Sequence, residues 1–327
     1  MKILGVCGGN GVILHPLKKH VIANLEPRAI FHSSGREQWR ANFKGIPILK
    51  DPKEVKELIP KVHCIIGAPD CGHSSMLALS RGKKMTDPKQ NTSLMMFVDM
   101  CLWYEPNVWI MENLPAMLEN VTREWFMELF PQYEFALIIG PVTYYGNSQK
   151  TRKRLLLMAV KKKWSGHDEV MRRSAIRPTI NMQTVEELLT DLPDNGNQRE
   201  DMDKYISMYS GSKNRIKVSR AQRLWNTRLE GKRRNEVNRK RMKNQPGVYR
   251  NLNHLPPLTV TKGDRQFNPE GLPMSPRELA RIQGVPDSFI IHIGEENKQY
   301  WINKGRATFG KSAPYEIAKF VKFVLSI

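Results

Sequence analysis

The chain is expected to be an α/β protein, a doubly wound and mostly parallel sheet carrying a second, smaller basic domain. Three features of its 327 residues point there. Residues 1–160 alternate short apolar runs with helix-like stretches, the pattern of a parallel sheet covered by helices. Several of those runs end at polar or glycine-rich turns, where ligands collect in open sheets of this Rossmann-like kind. From about Lys161 to Gln266 apolar periodicity weakens and charge rises, so a domain of another character begins there.

In chain order, strands are expected at Lys2–Val6, Ala29–His32, Val62–Gly67, Val108–Glu112, Phe135–Pro141 and Arg154–Val160. Helices are expected over Thr92–Tyr104 and Arg123–Leu129, and Thr308–Ile327 returns to an apolar helical pattern able to pack on the first domain. The pattern thus divides the chain into a first domain of residues 1–160 and 300–327 and a second, basic domain of residues 161–299.

Lys and Arg number 52 against 32 Asp and Glu, a net charge of +20, which suits a polyanionic partner and nucleic acid before membrane. The charge concentrates in Lys213–Arg250, where fourteen cations face two acids, Glu230 and Glu236, with Tyr209, Trp225 and Tyr249 in or beside the run. This reads as a segment held by phosphate contacts, with a solvated basic helix as the other reading. The opening MKILGVCGGNG has no long apolar segment, and Cys7, Cys64, Cys71 and Cys101 lack metal-ligand spacing. No membrane partner and no metal are expected. A reducing cytoplasm, of a bacterium or a virus-infected cell, and a monomer are the simplest setting.

Four segments carry chemistry. In Ile65–Ser75 an apolar strand runs into a turn bearing Cys71, where helix amides and a basic site would favour a thiolate. By itself, such a cysteine also reads as a small buried residue. Trp109–Pro115 ends an apolar strand on Glu112, and a partly buried carboxyl has a raised pKa and can hold a proton. A capping or hydrogen-bonding role fits Glu112 as well. In Tyr145–Arg154, alternation would put Lys150, Arg152 and Arg154 on one strand face, calling for anions opposite. The fourth segment is Pro276–Phe289, followed by Phe309–Pro314.

In this order and spacing the segments resemble the cytosine-5 DNA methyltransferase family, over nearly the whole chain outside Lys161–Leu255. Gly67–Ser75 is similar to its Pro-Cys nucleophile loop, Glu112-Asn113 to its Glu-Asn-Val segment and Gln149–Arg154 to its Gln-x-Arg-x-Arg strand. Arg277–Phe289 is similar to its Arg-Glu-x-x-Arg-x-Gln-x-Phe-Pro block, and Gly310–Pro314 to its Gly-Asn-x-x-Pro block. The resemblance implies double-stranded DNA as substrate, base flipping, and a donor of the S-adenosylmethionine type. It implies Cys71 as nucleophile toward ring carbon 6, Glu112 as proton donor to ring nitrogen 3, and Arg154 with Arg152 on the base carbonyl or a flanking phosphate. The donor would lie over Val6-Cys7-Gly8-Gly9-Asn10-Gly11, with Asp51 at its adenine and Pro69, Lys311 and Ser312 about it.

Four departures from the family pattern stand out. Asp70 occupies the nucleophile position counted forward from Gly67, and Cys71 occupies it counted back from Ser75; thiolate chemistry favours Cys71. Gln149 lies one residue too far from the arginines for its family role. Phe31-His32-Ser33-Ser34 stands where an acid should grip the donor ribose, leaving Glu26 or Glu37 as substitutes. Lys311 replaces an asparagine that in the family faces the donor. An ammonium about 4 Å from a sulfonium would be repelled by roughly 4 kcal/mol at an effective dielectric near 20. A donor carrying a carboxylate, carboxy-S-adenosylmethionine, would turn that repulsion into attraction and give a carboxymethyl product. The competing reading pairs Lys311 with Asp70 and leaves ordinary methyl transfer intact. An RNA cytosine methyltransferase and a non-catalytic DNA-binding relative are the other classes.

Overall fold

The computed structural model describes residues 1–26, 33–71, 88–119, 121–149, 152–178, 182–189, 192, 275–291, 309 and 312–326. They fall into two compact units. The first comprises Met1–Asn147, Thr151–Ile180 and Ser312–Ile327, the second Ser148–Lys150 and Asn181–Lys311.

The first unit is built on one seven-stranded sheet. Its strands are β1 (Ile3–Val6), β2 (Val21–Leu25), β3 (Ile48–Leu49), β4 (Cys64–Gly67), β5 (Val108–Asn113), β6 (Tyr133–Pro141) and β7 (Lys153–Lys161). They lie in the order β3-β2-β1-β4-β5-β7-β6, parallel except for β7, which runs antiparallel to both neighbours. The chain order reverses between β1 and β4, and such a switch point opens a crevice at the carboxyl ends of the strands.

Strand interiors are apolar on both faces, because helices cover both. Ile65, Trp109, Leu155 and Leu157 point to one core with Leu94, Phe97 and Phe126 of the helices α3 (Thr92–Tyr104) and α4 (Arg123–Leu129). Ile66, Ile110, Leu156 and Met158 point to the other, with Trp39 and Phe43 of α1 (Ser33–Asn42) or at its end, and Ile317 and Phe320 of α8 (Tyr315–Leu325). The short α2 (Pro52–Leu58) follows β3, and α5 (His167–Ser174) follows β7 and packs on β7 and α8, which keeps residues 151–180 with the first unit.

Two helices carry their own start signals. Asn91 accepts from the Leu94 amide at 3.1 Å and Thr122 from the Trp125 amide at 3.3 Å, so α3 and α4 begin where local capping chemistry places them. The second strand departs from expectation: it is Val21–Leu25, whose apolar run is interrupted by Asn24. Ala29–His32 lies outside the described residues. The two-residue β3 is too short to announce itself by alternation.

In the second unit, α6 (Val185–Leu189) meets α7 (Pro276–Ile282), with Arg281 donating to the Leu188 carbonyl at 3.3 Å. A capping box starts α7: the Glu278 amide donates to the Ser275 hydroxyl, and the Ser275 amide to the Glu278 carboxylate at 2.6 Å. The basic run Lys213–Arg250 lies outside the described residues. Among the described residues no helix is long and apolar enough to cross a membrane.

Candidate active site

The candidate site lies at the neighbouring ends of β2, β1, β4, β5 and β7. After β1 the chain turns through Cys7–Gly11, with Gly9 at φ +59° and Gly11 at φ +87°, left-handed backbone that favours glycine. A Cβ on Gly11 would sit 2.3 Å from the Phe43 ring, so that position has no room for a side chain. Cys7 holds φ +56° without being glycine, and its buried thiol lies 3.8 Å from the Ser93 carbonyl. Burial, with the Glu26 and Asp70 carboxylates, pushes that thiol far up, which makes it a packing group.

Of the two acids left open, Glu26 and Glu37, the position of β2 brings Glu26 to the glycine-rich turn. Glu26 immediately follows the strand, 2% exposed, and its Oε1 accepts from the Gly9 amide and, at 3.0 Å, from the Asn24 side chain. Burial raises its pKa to about 7 against the lowering effect of those two hydrogen bonds. Glu37 instead pairs with Arg40 on the surface of α1 at 2.7 Å. Asp51 follows β3, caps α2 by accepting from the Lys53 amide at 2.9 Å, and is exposed.

After β4 the chain passes through Pro69, Asp70 and Cys71. The Asn113 side chain donates to the Pro69 carbonyl (3.0 Å), Asn91 to the Asp70 carbonyl (2.9 Å), and the Asp70 amide to the Ser93 hydroxyl (2.8 Å). This fastening leaves the Asp70 side chain exposed and Cys71 half-buried. All four cysteines are free, and Cys71 alone is not fully buried. The arrangement bears on the ambiguity at this loop: Cys71 lies within the electrostatic reach of Glu112 and Arg154. The expected thiolate is not favoured here, however. Burial first, then the Asp70 and Glu112 carboxylates, push the Cys71 thiol up, and Arg154 only partly opposes them. Any helix after Cys71 lies outside the described residues.

Glu112 is the penultimate residue of β5, paired in register with Leu156 of β7. Period-two alternation puts Arg154 on the same face as Leu156, and its Nε meets Glu112 Oε1 at 2.8 Å, both side chains buried. Burial raises the Glu112 pKa, while Arg154 and then Arg152 pull it down. The expected strand face of three cations needs correction: β7 begins at Lys153, so Arg152 precedes the strand, and Lys150 lies outside the described residues. Arg152, 1% exposed, spends a guanidinium N–H on the Ser312 carbonyl. The Ser312 hydroxyl accepts from the Asn10 side chain at 3.0 Å, which ties this C-terminal segment to the glycine-rich turn. Lys311 lies outside the described residues.

In the second unit the Pro276–Phe289 block is held by its own side chains and by neighbouring segments. Arg277 donates to the Pro286 and Phe289 carbonyls, Arg281 pairs with Asp287, and Gln283 donates to the Phe309 carbonyl at 2.8 Å. Gln149 has a place here: its amide donates to Gln283 Oε1 at 2.9 Å. Sequence reading named Asn10 and Asn113 only as parts of their segments and missed Asn24, Asn91 and Ser93. The one available signal was a buried polar residue inside or beside an apolar run, most plainly Asn24.

A doubly wound sheet with a glycine-rich turn and an acid at the ends of β1 and β2, and a thiol and a buried carboxyl at the ends of β4 and β5, has the layout in which open α/β sheets commonly gather ligands. Residues 33–322 match the C-5 cytosine-specific DNA methylase family, and the chain belongs to that family. Solved structures share its fold. A protein encoded within an Escherichia coli prophage and described as a DNA modification methyltransferase superposes with a TM-score of 0.66 at 18% identity, covering 100% of this chain and 98% of that one. The S. pombe Dnmt2 methyltransferase gives 0.60 at 13%, again covering 100% and 98%. The Entamoeba histolytica methyltransferase EhMeth gives 0.61 at 14% with the same coverage. No curated protein compared with the chain matches it.

Proposed function

We propose that the chain alkylates carbon 5 of a cytosine rotated out of duplex DNA, with Cys71 as nucleophile and Glu112 as proton donor. The observation that carries this is the convergence of Cys71, Glu112 and Arg154 beside the glycine-rich turn at adjoining strand ends. The Cys71 thiolate adds to ring carbon 6 while Glu112 delivers its proton to ring nitrogen 3, which makes carbon 5 nucleophilic. After transfer, loss of the carbon-5 proton to water lets the bond from sulfur to carbon 6 break, which returns the Cys71 thiolate, and ring nitrogen 3 gives its added proton back to Glu112. The two groups assist each other: a protonated Glu112 removes one of the carboxylates that hold the Cys71 thiol up. Arg154 orients Glu112 and faces the base carbonyl; Arg152 braces Ser312.

The residues present fit an adenosyl sulfonium donor. Positive-φ glycines give close backbone approach, both Glu26 hydrogen bonds fall on Oε1, and among the described residues Oε2 has no hydrogen-bond partner. Cys7, Gly8, Gly9 and Gly11 would cradle the donor, Glu26 take its ribose and Asp51 its adenine, with Pro69, Lys311 and Ser312 lining the transferred group. When bound, the donor supplies the electrophilic carbon. The second unit, with its basic run, reads the target duplex. A DNA duplex carrying 5-fluorocytosine tests the chemistry: the wild-type chain should be trapped covalently, and an untrapped chain marks a non-catalytic relative.

A second reading rests on Lys311. A lysine in place of the family's asparagine favours carboxy-S-adenosylmethionine as donor and a carboxymethyl product. Mass analysis of nucleosides from DNA treated with each donor decides it, and a methyl-only product ends that reading.

A further inference from the structure

Asn24 is a wholly buried polar side chain in an interior strand, where an amide without partners is costly. Its register partner on β1 is Gly5. A Cβ on Gly5 would come within 2.7 Å of Asn24 Oδ1, and one on Gly8 within 3.0 Å. Two glycines therefore leave the space that this amide fills. Its hydrogen bonds go to two functional elements: Oδ1 accepts from the Gly8 amide at 3.3 Å, and Nδ2 donates to Glu26 Oε1 at 3.0 Å. The same Oε1 takes the Gly9 amide. Asn24 thereby holds the Gly8 amide directly and the carboxylate that takes the Gly9 amide.

We propose that Asn24 is a positioning residue for the donor: it locks Glu26 through Oε1 so that Oε2 faces the ribose hydroxyls, and locks the turn at the same time. This rests on the reading of the glycine-rich turn and Glu26 as the donor site. An apolar residue of similar volume would complete the core equally well, so packing alone does not call for the amide.

The test is calorimetric binding of S-adenosylhomocysteine to the full chain. This ligand carries the adenosyl ribose and no transferable group, so the outcome is independent of which alkyl group is moved. Asn24→Ala is expected to weaken binding by at least about tenfold. It also removes a hydrogen bond that favours the Glu26 carboxylate, so the acid limb of the binding profile should move to higher pH. Among the described residues Cys7 is the other titratable group coupled to Glu26, and it stays a thiol throughout, so it does not contribute to that limb. The DNA KM should be unchanged. A purely structural Asn24 would lower Tm while leaving affinity and acid limb in place, and affinity within about twofold of wild type overturns the proposal. Should Asn24→Ala fail to fold, Asn24→Asp keeps the volume and the acceptor for Gly8 but sets a second carboxylate against Glu26. Its binding should be weakened more at pH 8 than at pH 6, and equal loss at both overturns the proposal. If the wild-type chain itself does not bind S-adenosylhomocysteine, the donor-site reading fails first. Normal wild-type binding with unaffected variants removes the role of Asn24 alone.

Discussion

At the ends of β1 and β2 the site is made of backbone amides, one asparagine and one carboxylate, whereas at the ends of β4, β5 and β7 a thiol and two carboxylates meet two guanidinium groups. The first region is held by conformation. Its glycines sit at positive φ or have no room for a Cβ, and its one acid is bound by neutral donors. The second is held by opposed charges, buried at the Glu112–Arg154 pair, where each carboxylate alters the proton affinity of the thiol and each arginine that of Glu112. The difference teaches where substitutions should act: shape matters first on one side, charge on the other.

The largest expected effect breaks the charged side at its nucleophile. Cys71→Ser should abolish covalent trapping by 5-fluorocytosine DNA and lower turnover by about 10⁴-fold or more. Because Cys7, Cys64 and Cys101 are buried with their thiols pushed up, no other cysteine can substitute. Retained trapping would move the nucleophile elsewhere and remove the reading of this loop.

Glu112→Gln separates proton donation from thiol activation. Loss of a general acid lowers turnover by roughly 10²–10⁴-fold. The same change deletes a carboxylate that raises the Cys71 thiol and leaves Arg154 unpaired beside it, so iodoacetamide should label Cys71 faster at pH 7 than in wild type. Slower turnover together with slower labelling contradicts the coupling.

Arg154→Met tests the same balance from the cationic side. Removing one partner of a buried ion pair costs about 3–5 kcal/mol when the other remains charged. Glu112 can instead take a proton, and without Arg154 it does so more readily. Denaturant melts should thus show a large loss at pH 8 that shrinks toward pH 5, and the Cys71 labelling profile should move to higher pH. A pH-independent loss would mean that the guanidinium acts through packing alone.

These contrasts also explain what the sequence disclosed. Helices α3 and α4 were legible to the residue because Asn91 and Thr122 cap them locally. The strands β4 to β7 were legible within two residues because β4, β5 and β7 are apolar on both faces and β6 carries a long apolar run at the sheet edge. Strand β2 was not, since Asn24 breaks its apolar run for a reason supplied by Gly8 and Glu26, neighbours that only the fold provides. The placing of Cys71 in the turn after β4 and of Glu112 at the end of β5 was legible from the apolar runs before them. The protonation of Cys71 was not, because it depends on carboxylates gathered by the sheet and on burial that residue order does not reveal.

The smallest expected effect belongs to the conformational side and reverses the usual sign of a site mutation. Glu26 has its pKa raised by burial from 4.5 to about 7, so between these values the folded chain binds more protons than the unfolded one. Stability from this group is therefore full below about pH 4.5, falls as pH rises, and levels off above about pH 7. At about 1.4 kcal/mol for each tenfold step in proton affinity, the fall is up to about 3 kcal/mol. Glu26→Gln keeps the acceptor for Gly9 and Asn24 and removes the charge. The variant should lose that slope and become the more stable protein at pH 8, while binding S-adenosylhomocysteine more weakly. If the two chains melt in parallel from pH 5 to pH 8, Glu26 does not bear a buried charge, and the strained carboxylate at the ribose position has to be abandoned.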